Sequence, residues 1–206
     1  MKTYEEIYDL LLDAGEGVDL QVASVEHYIE TVSLDKEFIF VCVPPGERPS
    51  HKVRAEISFV WDATLTAASI YGLRPSSHAG GHGQGASPEM LSPEMLSFGD
   101  LPLATDDEPY FELYIKYLFE VPTAERVAEL SDRLRRILHT VIDHDNFPEM
   151  KFEVSVLPDN KVVVDDAYAF YWWQISLAEG AELDFTGVMT EVKRVLEVLL
   201  TSELGG

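Results

Sequence analysis

Cysteine is almost absent: Cys42 is the single thiol in 206 residues. No disulfide can form within the chain, so its cysteine usage gives no sign of an oxidising compartment. Basic residues are scarce. Fifteen lysines and arginines stand against 37 aspartates and glutamates, a formal net charge of −22. That magnitude lies well beyond the ~2–8 usual for a small soluble domain. It opposes direct binding to nucleic acid or to an anionic membrane, since both present phosphate. It favours a basic partner; the plainer reading is a solvated acidic surface, as in a salt-rich cytoplasm. No uncharged apolar run of ~18 residues occurs, so no transmembrane helix is expected. Met1-Lys-Thr-Tyr-Glu-Glu shows no basic region leading into an apolar core, so no secretory signal is expected and the protein reads as cytoplasmic. Also missing are the G-x-G-x-x-G, P-loop, G-x-S-x-G and H-E-x-x-H motifs. No catalytic residue, metal or cofactor is assigned on this basis.

What is present is a core: 46% of the residues are hydrophobic, which excludes global disorder. Thr3 and Glu6 form a T-x-x-E capping box, followed by Tyr4, Ile7, Tyr8 and Leu11 on one helical face and by Gly15 and Gly17 as stops. A strand is expected over Val25–Val32. Phe38-Ile-Phe-Val-Cys-Val reads as a buried strand ended by Pro44-Pro45, and Val53–Ser69 as another. Tyr110–Val121 alternates as a strand. Pro122-Thr123 then opens a helix striped by Val127, Leu130, Leu134, Ile137, Leu138 and Val141. Phe152–Leu157 alternates, Pro158-Asp159-Asn160 supplies a turn, and Lys161–Leu177 is a long aromatic strand. Its alternation puts Tyr168, Phe170 and Trp172 on one face, and Ala167, Ala169, Tyr171, Trp173 and Ile175 on the other. After Gly180, Asp184 is the expected N-cap of a last helix striped by Phe185, Val188, Met189, Val192, Val195, Leu196 and Leu199. The order is α-β-β-β-(long loop)-β-α-β-β-α. Short turns between neighbouring strands predict an α+β fold with a mostly antiparallel sheet of about six strands and three amphipathic helices, as a single domain over 1–206.

The 73–109 stretch differs in character. It is rich in Pro, Gly, Ser and His, lacks apolar periodicity, and contains a tandem Ser87-Pro-Glu-Met-Leu, Ser92-Pro-Glu-Met-Leu. It reads as a flexible insertion or linker, or as an arm whose Met and Leu residues dock elsewhere. His78 and His82 lack the further ligands of a structural metal site. Asp165-Asp166 and Asp106-Asp107-Glu108 match no calcium-loop spacing and read as solvated charge rather than metal ligands. Cys42, in an apolar run, reads as an inert buried thiol. His139 and His144 sit near a helix C-terminus, where a cationic imidazole suits the helix dipole.

The element order resembles the class I type III secretion chaperones and the related YbjN family. The likeness is closest from Leu134 to Leu200: a helix leaving through Asn146-Phe147, the strand Phe152–Leu157, the Pro158-Asp159-Asn160 turn, a second strand and a closing amphipathic helix. That resemblance implies a non-enzymatic acidic module, chaperone- or adaptor-like, that engages a basic or amphipathic segment of a partner protein. The alternative is an acidic inhibitor, such as an immunity protein or a nucleic-acid mimic blocking a basic target. Partner-binding candidates are Tyr168, Phe170 and Trp172, with the neighbouring Asp165 and Asp166. An aromatic strand of this kind either has helices or tight packing over both faces, or leaves the Tyr168–Phe170–Trp172 face open to a partner; an open face predicts a homodimer.

Overall fold

In a computed structural model of the chain, Thr3 opens the first helix, α1 (Tyr4–Gly17), through a reciprocal cap. Its hydroxyl accepts from the Glu6 N–H at 3.2 Å, and the Glu6 carboxylate accepts from the Thr3 N–H at 2.6 Å. The structure describes residues 3–29, 35–48, 52–61, 101–104, 110–120, 127–142, 148–177 and 182–202. Within them lie six strands: β1 (Gln21–Ile29), β2 (Lys36–Val43), β3 (Arg54–Trp61), β4 (Tyr110–Leu118), β5 (Glu149–Val156) and β6 (Val162–Ser176). They form one antiparallel sheet in the order β1-β2-β3-β4-β6-β5. The other two described helices are α2 (Val127–Leu138) and α3 (Thr186–Thr201). The α+β expectation and the element order both hold.

Period-2 alternation decides which residues meet the helices. Phe38 and Phe40 of β2, Ile57 and Phe59 of β3, and Leu113, Ile115 and Tyr117 of β4 are fully buried on the inner face. Ala167, Ala169, Tyr171, Trp173 and Ile175 of β6 join them, as the alternation predicts. Tyr4 and Tyr8 of α1 pack edge-on against Phe38. On α3 the whole expected stripe is buried: Val188, Met189, Val192, Val195, Leu196 and Leu199. Leu130, Leu134 and Leu138 do the same for α2. Each such side chain contributes about 1.5–3 kcal/mol on burial.

Several boundaries move. β1 begins at Gln21, ahead of the expected Val25, because its early residues pair with Val43 and Cys42 of β2. A register shift between Val22 and Ser24 interrupts the alternation there, which hides the strand from a period-2 reading. The α3 N-cap is Phe185 rather than Asp184, yet the Asp184 carboxylate still accepts from the Thr186 N–H at 2.8 Å. Phe185 thus lies just ahead of the helix and fills the core beside Phe111. The Pro158-Asp159-Asn160 turn forms as expected, with Asn160 at φ 60, a left-handed conformation that Asn tolerates.

Residues 101–104, ahead of the expected Pro109, pack on the end of β6. Leu101 is buried and Leu103 bridges Ile175 of β6; the Ser176 N–H donates to the Pro102 carbonyl at 2.8 Å and the Ala104 N–H to the Gln174 carbonyl at 2.9 Å. The rest of the 73–109 stretch lies outside the described residues. So do His78, His82, Asp106, Asp107, Glu108 and His144, and the ends of three expected strands beyond Ile29, Trp61 and Glu120.

Candidate functional site

The outer face of the sheet is the surface on which the described helices do not pack. Strand register lays its side chains out in rows. One row runs Ile39–Ser58–Tyr114–Trp172 across β2, β3, β4 and β6. The next runs Val41–Glu56–Lys116–Phe170–Glu149 and reaches β5. A third, Glu37–Val60–Glu112–Gln174, lies on the other side of the first. Tyr168, Phe170 and Trp172 therefore share this face, as their alternation predicts.

Aromatic rings and charges interlock here. Tyr114 and Trp172 stack, with centroids 6.0 Å apart. Lys116 Nζ lies 4.2 Å from the Tyr168 ring centroid, and Lys151 Nζ lies 4.2 Å from that of Phe170. Trp172 is 44% exposed, whereas its neighbour Trp173 is 7% exposed on the inner face. Carboxylates hold the phenols: Tyr114 donates to Glu112 at 2.6 Å, Tyr28 donates to Glu26, and Tyr168 donates to Glu153 at 3.4 Å. Desolvation and the Glu112 carboxylate push the Tyr114 phenol above its ordinary pKa. Partial burial and Glu153 do the same for Tyr168. These phenols remain donors at neutral pH.

The two candidate aspartates sit apart from the Trp172 end of this face. Asp165 and Asp166 line a cavity of about 250 Å³ with Lys52, Arg54 and Glu120, where β6 runs on past the end of β4. Ion pairs tie most of the charges there: Lys52 pairs with Glu120, Lys116 with Asp166 at 3.6 Å, and Arg54 with Glu56 at 3.2 Å. Asp165 accepts a hydrogen bond from Ser155. Asp166 thus borders the outer face through Lys116, while Asp165 belongs to the hairpin.

Cys42 is buried beneath the helices, and burial pushes its thiol up to about 12. Nearby lies a polar link that sequence reasoning missed. The Tyr117 and Tyr171 hydroxyls are 2.8 Å apart, and Tyr171 donates onward to Glu191 of α3. Desolvation raises both phenols far above their ordinary range. The link was illegible because its members are 54 and 20 residues apart in sequence. Among the described residues no group of three or more His, Cys, Asp or Glu side chains is placed to hold a metal ion, and no helix is long and apolar enough to cross a membrane.

Comparison with protein-family models, curated proteins and solved structures gives no match for this chain.

Proposed function

We propose that the protein is a non-enzymatic, acidic protein-binding module, chaperone- or adaptor-like, whose outer sheet face receives a basic or amphipathic segment of a partner protein. The observation that carries this reading is the pairing of half-exposed rings with carboxylates on one flat surface: Tyr114, Tyr168, Phe170 and Trp172 among Glu37, Glu56 and Glu112. Rings accept apolar groups and, through their π faces, guanidinium and ammonium groups. Carboxylates beside them supply charge complementarity, and the net charge of −22 steers a basic partner toward the molecule. Tyr and Trp at the centre of such a patch are the residue types that dominate binding energy at interfaces. A nucleic-acid mimic would instead present ranks of carboxylate at phosphate-like spacing; on this face Glu56 lies between Arg54 and Lys116, and Lys151 lies over Phe170.

The test is titration with an arginine-rich amphipathic peptide at near-physiological salt, alongside capture from the native host with wild type and variants. Saturable binding that weakens at least tenfold in Trp172→Ala, and further on adding Glu112→Gln, is expected. Binding that is equal in wild type and both variants would reduce the interaction to nonspecific attraction and reject the docking face.

A further inference from the structure

We propose that β5 is a homodimerisation edge, pairing antiparallel with β5 of a second copy around a two-fold axis at Phe152. Among the described residues β6 is the one strand that pairs with β5, so the opposite edge of β5 presents unladdered backbone groups. Such an edge invites another strand.

The exposed apolar residues point to the same place. β4 pairs with β6 over Tyr168–Ser176, whereas β5 pairs over Val162–Phe170, so β5 and β6 run on as a two-stranded arm. A two-stranded ribbon is marginal in water by itself. Val154, Val156, Leu157 and Val162 are exposed on this arm, half of all the large hydrophobics exposed among the described residues. The register passes from Glu153↔Asp166 to Val154↔Val164, which makes Asp165 a bulged residue. The bulge turns Val162 and Val164 to the same side as Val154 and Val156, the side on which the helices lie. An apolar strip thus runs from the core off the end of the sheet.

The sequence of β5, Glu149-Met-Lys-Phe-Glu-Val-Ser-Val, is complementary to itself in one antiparallel register. With Phe152 opposite its own copy, Met150 faces Val154 on the helix side, and Lys151 faces Glu153 on the outer side. The two-fold repeats each pair. Moving the register by two residues one way sets Lys151 against Lys151 and Glu149 against Glu153; two residues the other way sets Glu153 against Glu153. Like charges directly opposite are destabilising and opposite ones stabilising, so charge selects the centred register over both. In that arrangement both helical layers lie on the same side of a continuous sheet, and the Trp172 surface remains open. The dimer therefore does not depend on the docking reading.

Sedimentation equilibrium of the full chain, with charge-reversal variants, tests the proposal. Wild type should dimerise, and more tightly at ~0.5 M than at ~0.05 M NaCl, because salt screens the repulsion of two strongly negative copies. Lys151→Glu alone and Glu153→Lys alone should each weaken dimerisation by about tenfold or more, since each sets like charges opposite twice. An equimolar mixture of the two single variants should recover it, because every 151–153 pair in the mixed dimer is again opposite in sign. Both side chains are exposed, so the variants should keep the wild-type circular dichroism and remain folded. A wild type that stays monomeric at tens of micromolar at every salt overturns the proposal and leaves the edge to a strand of another protein. A dimer untouched by either single reversal, or a mixture that fails to recover, also overturns it and places self-association elsewhere.

Discussion

Trp172 and Trp173 are adjacent in sequence and opposite in role. Trp173 is 7% exposed and meets Tyr171 edge-on with centroids 4.6 Å apart, while Trp172 is 44% exposed and stacks on Tyr114. Trp173→Ala should lower unfolding free energy by about 3–5 kcal/mol, from lost transfer energy plus the cavity left behind. Trp172→Ala should cost much less, about 1 kcal/mol, because its ring keeps substantial contact with water in the fold. Urea unfolding of both variants checks this; equal large losses would mean that the outer face is covered. Asp184 offers a pH-dependent counterpart. Hydrogen bonds from the Thr186 hydroxyl and backbone N–H hold its carboxyl below its ordinary 3.8. Its folded pKa is lowered, so its contribution is complete above the unfolded value and is lost as pH falls through the lower folded one. Asp184→Ala should therefore destabilise the protein at neutral pH, and the gap from wild type should close as pH falls below 3.8. A gap of constant size across that range would show that the carboxylate charge plays no part.

Between elements, the Tyr117–Tyr171–Glu191 link ties β4, β6 and α3 together beneath the helix layer. Removing one hydroxyl leaves the Tyr117 oxygen, which is fully buried, without that partner. Tyr171→Phe should cost about 1–3 kcal/mol, the usual penalty for stranding a buried polar group. The Tyr117→Phe/Tyr171→Phe double variant should cost less than the sum of the two singles, because it strands fewer groups. A double-mutant cycle by chemical denaturation measures the coupling; strict additivity would count against the link.

For the whole molecule, charge and shape divide the work. A net charge of −22 opposes compaction and self-association over the range of the Debye length, ~8 Å at physiological salt. The described ion pairs on the outer face are partly exposed, and pairs of that kind typically contribute ~0–1 kcal/mol. Among the described residues, stability therefore rests on the inner layer where the sheet meets three helices. The two proposed interactions fall on other surfaces: a basic segment on the aromatic and acidic outer face, and a second copy at the β5 edge. The two uses are geometrically compatible, since strand pairing extends the sheet in its own plane.

Local physics determined much of this protein before any folding was considered. The T-x-x-E box, the α3 stripe, the turn at Pro158-Asp159-Asn160 and the two faces of β6 follow from capping chemistry and from periods of 3.6 and 2. Hence Tyr168, Phe170 and Trp172 could be placed together from the chain alone. Tertiary structure decided what periodicity cannot encode. It set which face of β6 the helices cover, because that depends on where α1, α2 and α3 dock. It extended β1 back to Gln21, since pairing with β2 outweighs weak strand propensity around a bulge. It drew Leu101 and Leu103 onto the end of β6, where the apolar Leu-x-Leu spacing had been lost among prolines and glycines. It also placed Asp165 and Asp166 differently, because the β6 bulge breaks the alternation that would have kept them on opposite faces. In each case the deciding contacts join residues far apart in sequence, and only the closed sheet brings them within reach.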